Sequence, residues 1–180
     1  KISIHPDIRG ASYSLDLVNT DANMEDIMHG IKTNGSGRIC LYGPSGTGKS
    51  EYVHWLAKTL DRPLLQKKGS DLISKWAGQT EKNLASAFEE ADADDAVLLL
   101  DEIDSFLQDR RYSNHSWEVT QINELLLQME SFNGLLVATT NLVDTMDKAS
   151  LRRFDAKVKF DYLTGIQRVI AFKNLCEEME

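Results

Sequence analysis

The chain has 180 residues, enough for one domain that buries its own hydrophobic core. Apolar residues make up 42% of the sequence and charged residues 27%, a balance that excludes intrinsic disorder. The formal net charge of −8 argues against broad electrostatic binding to nucleic acid, and no apolar run is long enough to span a bilayer. The two cysteines match no metal-ligand spacing, so we expect reduced thiols in a cytoplasmic protein.

The first 37 residues carry few signals of secondary structure. The run from Ile2 to Ile4 alternates like a short strand until Pro6 ends it. Residues 21–31 are a candidate helix, which Gly30 and the turn at 34–37 would stop. In nucleotide-binding domains such a segment helps to hold the base, but no residue type or spacing here indicates which side chain does so.

The next stretch matches G-x-x-x-x-G-K-[ST] and consists of Gly43, Pro44, Ser45, Gly46, Thr47, Gly48, Lys49 and Ser50. In such a loop, backbone N–H groups cradle nucleotide phosphates, and glycines let the main chain approach the anion closely. Lys49 would supply positive charge to the phosphates, and Ser50 a hydroxyl ligand for Mg²⁺. A strand pattern at 38–42 and a helical pattern at 51–60 favour a phosphate loop over a chance glycine-rich turn.

Strand and helix patterns continue to alternate after the loop. Further strands are predicted at 63–67, 96–100, 134–141 and 156–160, and helical segments at 69–76, 80–91, 117–132, 147–153 and 164–179. The run at 96–100 is apolar throughout, as in a strand that is buried on both faces of a parallel sheet. The sequence therefore predicts an α/β fold, a three-layer αβα sandwich around a mostly parallel five-stranded sheet.

Polar residues follow two of the predicted buried strands. Asp101 and Glu102 come directly after 96–100, and Asn141 ends the next strand. Because the carboxyl ends of parallel strands share one edge of the sheet, we expect these side chains beside the phosphate loop. Asp101 would hold Mg²⁺ together with Ser50, Glu102 would act as general base on the attacking water, and Asn141 would orient that water. The alternative, that the acids merely cap a helix, is disfavoured by the phosphate loop upstream.

With these motifs in this order, the chain resembles the AAA+ superfamily of P-loop ATPases, and within it the AAA group of protein-remodelling ATPases. The resemblance covers residues from about 39 to 160 and implies a Walker A motif at 43–50, a Walker B motif at 97–102 and a sensor 1 position at Asn141. It also implies ATP and Mg²⁺ as cofactors, ATP hydrolysis as the reaction, and a homo-oligomer, most often a hexameric ring.

The segment at 147–155 resembles the family's arginine-finger segment, which reaches into the nucleotide site of the next subunit. Arg152 and Arg153 are the candidates, and the sequence leaves open which of them is the finger. Many family members carry a second Gly-Arg-Phe-Asp after the first arginine pair, whereas here the two are compressed into one Arg-Arg-Phe-Asp. The alternative is a solvated basic turn in which Arg153 pairs with Asp155.

The family's first pore loop, which places an aromatic residue in the central channel of the ring, is matched by Lys75, Trp76, Ala77 and Gly78. An exposed tryptophan there would grip an extended polypeptide by stacking and apolar contact. The alternative is that Leu72, Ile73 and Trp76 form one apolar helical face. The polar segment 108–116 stands where a second pore loop would be, and it suits a solvated surface turn equally well.

The same residues disfavour three rival functions. A DNA-directed AAA+ ATPase such as a helicase loader is disfavoured by the acidic charge and by the tryptophan loop, so nucleic acid is not the expected partner. A small-molecule kinase is disfavoured by Glu102, Asn141 and the arginine segment, and a nucleotide-gated scaffold by the intact Glu102. The expected partners are further copies of the chain and a protein substrate.

The chain is expected to be a single AAA+ core domain over 1–180, excised from a longer protein, because it begins at Lys1 rather than at a methionine. Family members usually add a small helical lid after the α/β core. Since one predicted helix follows the last strand, we expect that lid to be absent from this chain.

Overall fold

The fold is described from a computed structural model, which describes residues 13–76, 78–107, 116–142, 146 and 148–177. Its strands are β1 (Asn19–Thr20), β2 (Gly37–Tyr42), β3 (Leu64–Lys68), β4 (Val97–Asp101), β5 (Leu135–Thr140) and β6 (Ala156–Asp161). Its helices are α1 (Met24–Asn34), α2 (Lys49–Thr59), α3 (Gly69–Leu72), α4 (Gln79–Ala93), α5 (Asp104–Leu107), α6 (Ser116–Ser131), α7 (Lys148–Leu151) and α8 (Gly165–Glu177). The predicted strand at residues 2–4 lies outside the described residues, as do 108–115 of the predicted second pore loop.

The strands form one six-stranded sheet in the order β1-β6-β2-β5-β4-β3. The five strands from β6 to β3 are parallel to their neighbours, which confirms the predicted α/β fold with its mostly parallel sheet. The sixth strand, Asn19–Thr20, pairs antiparallel with β6 and was not predicted. Two residues are too few to give a periodic pattern, so this strand is identified only by its pairing with β6, Asn19 with Asp161 and Thr20 with Phe160.

Alternate residues of the buried strands pack into two separate hydrophobic clusters, one on each face of the sheet. In β4, Leu98 and Leu100 pack with residues of α4, α5 and α6 on one face of the sheet. Val97 and Leu99 pack with residues of α1 and α2 on the other face. Side chains of a strand alternate between the two faces, so burial on both sides explains the continuous apolar run. Full burial of each such side chain stabilises the fold by about 1.5–3 kcal/mol.

The first helix differs from its prediction. Gly30 was expected to help stop it, but α1 continues through that glycine to Asn34. A glycine inside a helix costs only about 1 kcal/mol relative to alanine, which the rest of the helix can offset. The helix ends instead at Gly35, whose left-handed φ of 73° suits a C-cap and whose N–H donates to Ile31 O at 2.7 Å.

The topology brings three loops together at one edge of the sheet. The segments that follow β2, β4 and β5 all leave from the carboxyl ends of adjacent parallel strands. In open α/β sheets this edge is where ligands bind. Within the described residues, no helix has the length and apolar character that crossing a membrane requires.

Candidate functional site

The phosphate loop connects β2 to α2 and depends on glycine at specific positions. Gly43 has a φ of 136°, and a Cβ at this position would lie 2.0 Å from the backbone oxygen of Phe160 in β6. Gly48 has a φ of 90° and is the N-cap of α2, where no side chain accepts a hydrogen bond from the helix. The first N–H groups of α2 therefore lack a capping side chain, an arrangement that suits an anion at this helix end.

Lys49 is held at the centre of the site. Its side chain is buried, and Nζ donates to Gly43 O at 2.7 Å, Pro44 O at 2.8 Å and Asn141 Oδ1 at 3.0 Å. Burial lowers the pKa of Lys49, and nearby carboxylates, with Asp104 the largest contributor, act in the opposite direction. The ammonium group thus joins the phosphate loop to the residue after β5.

Asp101 is the most connected carboxylate of the site. Its Oδ1 accepts hydrogen bonds from Ser50 Oγ at 2.8 Å and Thr139 Oγ1 at 2.6 Å, and its Oδ2 accepts one from Gln66 Nε2 at 2.8 Å. The residue is only 6% exposed. Because the donors come from α2, β5 and β3, the carboxylate is fixed in position from three directions. Gln66 and Thr139 were missed by sequence reasoning, although both lie in strands beside β4, Gln66 in the middle of β3 and Thr139 near the carboxyl end of β5.

Glu102 combines a fixed backbone with an exposed side chain. Its φ of 55° is left-handed, which is unusual for a residue with a side chain, and its N–H donates to Thr139 Oγ1 at 2.9 Å. Gly69 packs against the same peptide, since a Cβ on Gly69 would lie 2.6 Å from Glu102 O. Strained backbone of this kind often occurs at functional sites.

Asp104 fixes the residue that follows β5. Its Oδ1 accepts hydrogen bonds from the N–H of Asn141 at 2.9 Å and from the hydroxyl of Thr140. Asn141 is exposed and uses its Oδ1 to accept from Lys49, and its NH₂ group donates to none of the described residues, so it can donate to a ligand or a water. The sequence indicated no role for Asp104 beyond its place after the acidic pair.

The donor set of this edge fits a magnesium ion that is shared with a nucleotide. Mg²⁺ prefers oxygen ligands and is usually held by one or two protein groups together with substrate phosphates and waters. The Ser50 hydroxyl and the Asp101 carboxylate are such groups, and they are 2.8 Å apart. No group of three or more His, Cys, Asp or Glu side chains that could hold a metal occurs in the described part of the chain.

The arginine segment lies apart from this constellation. Among the hydrogen bonds and ion pairs of the described residues, none joins Arg152 or Arg153 to the phosphate site. The predicted alternative, in which Arg153 pairs with Asp155, is wrong. Asp155 instead accepts three hydrogen bonds from Arg38, and Arg153 pairs with Glu130.

Burial and the charge of Arg38 shift the pKa of Asp155 in opposite directions. Burial by itself would raise the pKa of this carboxyl, but the hydrogen bonds and the positive charge of Arg38 lower it below its ordinary value. Asp155 is thus ionised in its pair with Arg38 and unavailable to Arg153. Asp147, the first residue of the predicted arginine segment, lies outside the described residues.

The tryptophan loop has an exposed side chain on an anchored backbone. Trp76 is 80% exposed, whereas Leu72 is 2% exposed, so the predicted helical face shared by these residues does not exist. The N–H of Ser74 donates to Thr80 Oγ1 at 2.9 Å, and the N–H of Trp76 donates to Ser74 Oγ at 3.2 Å. Lys75 and Gly78 are also exposed, and Ala77 lies outside the described residues.

Comparison with known proteins gives consistent matches. A sequence profile of the ATPase family associated with various cellular activities (AAA) matches residues 39–162. Protein SUPPRESSOR OF K(+) TRANSPORT GROWTH DEFECT 1 of Arabidopsis thaliana is 38% identical over 125 residues, which cover 66% of this chain and 29% of that protein. The uncharacterized AAA family ATPase y4kL of Sinorhizobium fredii (strain NBRC 101917 / NGR234) is 35% identical over 151 residues, 82% of this chain and 45% of that protein.

A third relative, Fidgetin-like protein 1 of Caenorhabditis elegans, is 30% identical over 159 residues, 84% of this chain and 27% of that protein. The matched part of the chain thus spans less than half the length of each of these relatives.

Proposed function

Because the chain belongs to the AAA family of ATPases, we propose that the carboxyl edge of its sheet binds ATP with Mg²⁺ and hydrolyses it. The observation that carries the proposal is the hydrogen bond of 2.8 Å between Ser50 and Asp101. It joins the end of the phosphate loop to the end of the buried strand β4. A hydroxyl and a carboxylate are oxygen ligands of the kind that would hold a magnesium ion beside a nucleotide.

The residues named in the sequence motifs have distinct roles in the proposed hydrolysis. The amides of the loop at 43–50 and the ammonium of Lys49 bind the phosphates. Ser50 and Asp101 would hold the ion, which would neutralise charge on the phosphate oxygens. Glu102 accepts the proton of the attacking water, and the free NH₂ group of Asn141 orients that water. The exposure of Glu102 supports this role, because its carboxylate has to reach a solvent molecule.

We extend the proposal to a homo-oligomeric ring, most simply a hexamer, that remodels or translocates a protein substrate. Two observations on this chain support the extension. Trp76 is an aromatic side chain exposed in a loop, as an apolar grip on an extended polypeptide requires. Arg152 is exposed on α7's C-terminal side, as a residue acting on a neighbouring subunit requires. A cytoplasmic location is part of the proposal and agrees with the two free cysteines.

The test measures ATP turnover against protein concentration for the wild type and for Glu102→Gln. Glu102→Gln keeps the shape of the side chain but cannot take a proton, so we expect unchanged ATP affinity and a loss of turnover of about 100-fold or more. Glu124→Gln is the matched control, because the carboxylate of Glu124 contacts Gln128 on its own helix. Specific activity should rise with protein concentration. Undiminished turnover by Glu102→Gln would refute the assignment of the base, and transfer of phosphate to an acceptor other than water would indicate a kinase.

A further inference from the structure

Thr139 of β5 is a buried residue whose hydroxyl group joins two acidic residues of the site. It is 1% exposed. Its Oγ1 donates to Asp101 Oδ1 at 2.6 Å and accepts from the N–H of Glu102 at 2.9 Å. The two directions are fixed by chemistry, because a backbone N–H can only donate and an ionised carboxylate can only accept. One hydroxyl group therefore connects the side chain of Asp101 to the backbone of Glu102.

The backbone of Thr139 holds the same turn at a second point. Its carbonyl oxygen accepts from the N–H of Ile103 at 3.0 Å. The N–H groups of Glu102 and Ile103 flank the φ and ψ angles of Glu102, and that φ is 55°. A left-handed residue with a side chain persists only where the surrounding structure enforces it. Thr139 supplies two of the contacts that do so, one from its side chain and one from its main chain.

Gln66 of β3 holds Asp101 from the opposite side of β4 and does not hold Glu102. Its Nε2 donates to Asp101 Oδ2 at 2.8 Å, whereas Ser50 and Thr139 both donate to Oδ1. Among the hydrogen bonds of the described residues, none joins Gln66 to Glu102. The site thus contains one residue that holds Asp101 alone and another that holds Asp101 and Glu102 together.

The neighbouring Thr140 does not duplicate the contacts of Thr139. Successive side chains of a strand point to opposite faces of the sheet. The hydroxyl of Thr140 donates to Asp104, which also accepts from the N–H of Asn141. Thr139 is thus the threonine of β5 whose side chain contacts both Asp101 and the backbone of the residue that follows it.

We propose that Thr139 is a positioning residue for ATP hydrolysis, which holds the carboxylate of Asp101 beside Ser50 and fixes the backbone from which the side chain of Glu102 extends. This inference rests on the proposed function, because it takes Asp101 as a metal ligand and Glu102 as the base. A hydrogen bond from a buried hydroxyl to a carboxylate is short and strong, so it opposes rotation of that carboxylate. Misplacing a reacting group by about 1 Å can lower a rate by about 100-fold.

Two substitutions of Thr139 separate its hydroxyl group from its shape. Thr139→Val keeps the β-branched shape that suits a strand but leaves the N–H of Glu102 without this acceptor and Asp101 with one donor fewer. Thr139→Ser keeps the hydroxyl and should behave like the wild type. Thr59→Val is the matched control, because the hydroxyl of Thr59 donates to Trp55 O within α2.

The first measurement needs neither nucleotide nor metal. Amide hydrogen exchange of the nucleotide-free chain, followed by NMR, reports directly on the N–H of Glu102. In Thr139→Val this N–H should exchange about three- to tenfold faster than in the wild type, the effect of losing one hydrogen bond. Gln66→Leu and Thr59→Val should leave its exchange unchanged. Exchange of the amides within β4 and thermal unfolding report any change in overall stability.

The second measurement separates metal dependence from the rate at saturation. Turnover at saturating ATP is followed against the concentration of MgCl₂, which gives the Mg²⁺ concentration for half-maximal activity and the kcat. Gln66→Leu should raise that Mg²⁺ concentration by about tenfold, because it removes a partner of a metal-binding carboxylate, and should leave kcat within about twofold. Thr139→Val should raise it similarly and also lower kcat by about tenfold or more, a loss that excess Mg²⁺ does not restore.

The outcomes separate this inference from the proposed function. If Thr139→Val matches Gln66→Leu in both measurements, Thr139 acts on Asp101 alone and the inference is overturned. Equal losses of turnover in Thr139→Val and Thr139→Ser, or losses that follow a decrease in unfolding temperature, would show a merely structural role. Thr139→Ala serves the same comparison if Thr139→Val does not fold. If the wild type hydrolyses no ATP at any Mg²⁺ concentration, the proposed function fails and the inference with it.

Discussion

The phosphate site and the tryptophan loop hold their functional side chains in opposite ways. At the phosphate site the side chains of Lys49 and Asp101 are themselves fixed, by three acceptors around Lys49 and three donors to Asp101. In the tryptophan loop the side chain of Trp76 is 80% exposed, and the fixed parts are the backbone N–H groups of Ser74 and Trp76.

The two regions differ in this way because phosphoryl transfer and the binding of an extended polypeptide place different demands on side chains. Charge stabilisation during phosphoryl transfer requires groups that are already in place, because reorganising them would raise the barrier. Binding an extended chain of variable sequence requires apolar surface that stays accessible, so its positioning is left to the backbone beneath it. Buried Thr80 supplies that support, since its Oγ1 accepts both from Ser74 N and from Gln121 Nε2 at 3.2 Å.

The largest effect is expected from removing the central charge of the phosphate site. Lys49→Ala deletes an ammonium group that is buried and aimed at the phosphates, so we expect ATP affinity to fall by about 100-fold or more. The control is Lys67→Ala in β3, which loses a surface pair with Glu90 and should change ATP affinity by less than about threefold. Titration with a fluorescent ATP analogue measures both. Equal affinity losses would mean that Lys49 acts through general charge and not through its place in the loop.

An effect on folding stability is expected from adding one methyl group to a glycine in each region. Gly43→Ala forces both a φ of 136° and a contact of 2.0 Å with Phe160 O, so unfolding free energy should fall by about 2–5 kcal/mol. Gly78→Ala also requires a positive φ, of 74°, but meets no atom within 4 Å, and should cost about 1 kcal/mol. Urea denaturation distinguishes the two. A similar cost at both positions would show that backbone strain alone decides, and that the two regions are packed alike.

Sequence patterns predicted those parts of the fold in which the functional residues directly follow a recognisable strand or motif. The apolar run ending in Asp101 is a strand because burial on both faces needs continuous apolar residues, and its carboxyl end lies by topology beside the phosphate loop. The exposure of Trp76 was anticipated from its neighbours Lys75 and Gly78 by family resemblance, although helical spacing alone favoured packing with Leu72.

The contacts that sequence reasoning missed connect residues far apart in the chain. Thr139 and Gln66 reach Asp101 only through the register of β5 and β3 against β4. The alternative interpretation of the arginine segment paired Asp155 with its neighbour Arg153, but the partner of Asp155 is Arg38, 117 residues away. No sequence motif indicates which distant residue a polar side chain in a strand or helix will bind. These hydrogen-bonded pairs are therefore determined by the folded topology and not by spacing along the chain.

The smallest change in stability is expected from substituting Trp76. This substitution tests most directly whether the tryptophan loop, unlike the phosphate site, leaves its functional side chain free of contacts. Trp76→Ala removes a side chain that contacts mainly solvent, so the free energy of unfolding should change by less than about 0.5 kcal/mol. Trp55→Ala on α2 is the matched control, because that ring packs against Tyr52 at 5.7 Å and Tyr13 at 5.9 Å and its loss should cost about 2–4 kcal/mol.

Processing of a dye-labelled, chemically unfolded model protein should be lost in Trp76→Ala and kept in Trp76→Phe, because phenylalanine retains an aromatic contact surface. A destabilisation of Trp76→Ala as large as that of Trp55→Ala would mean that Trp76 packs within the protein. Unchanged processing by Trp76→Ala would remove the loop from substrate binding and leave its exposed tryptophan without that role.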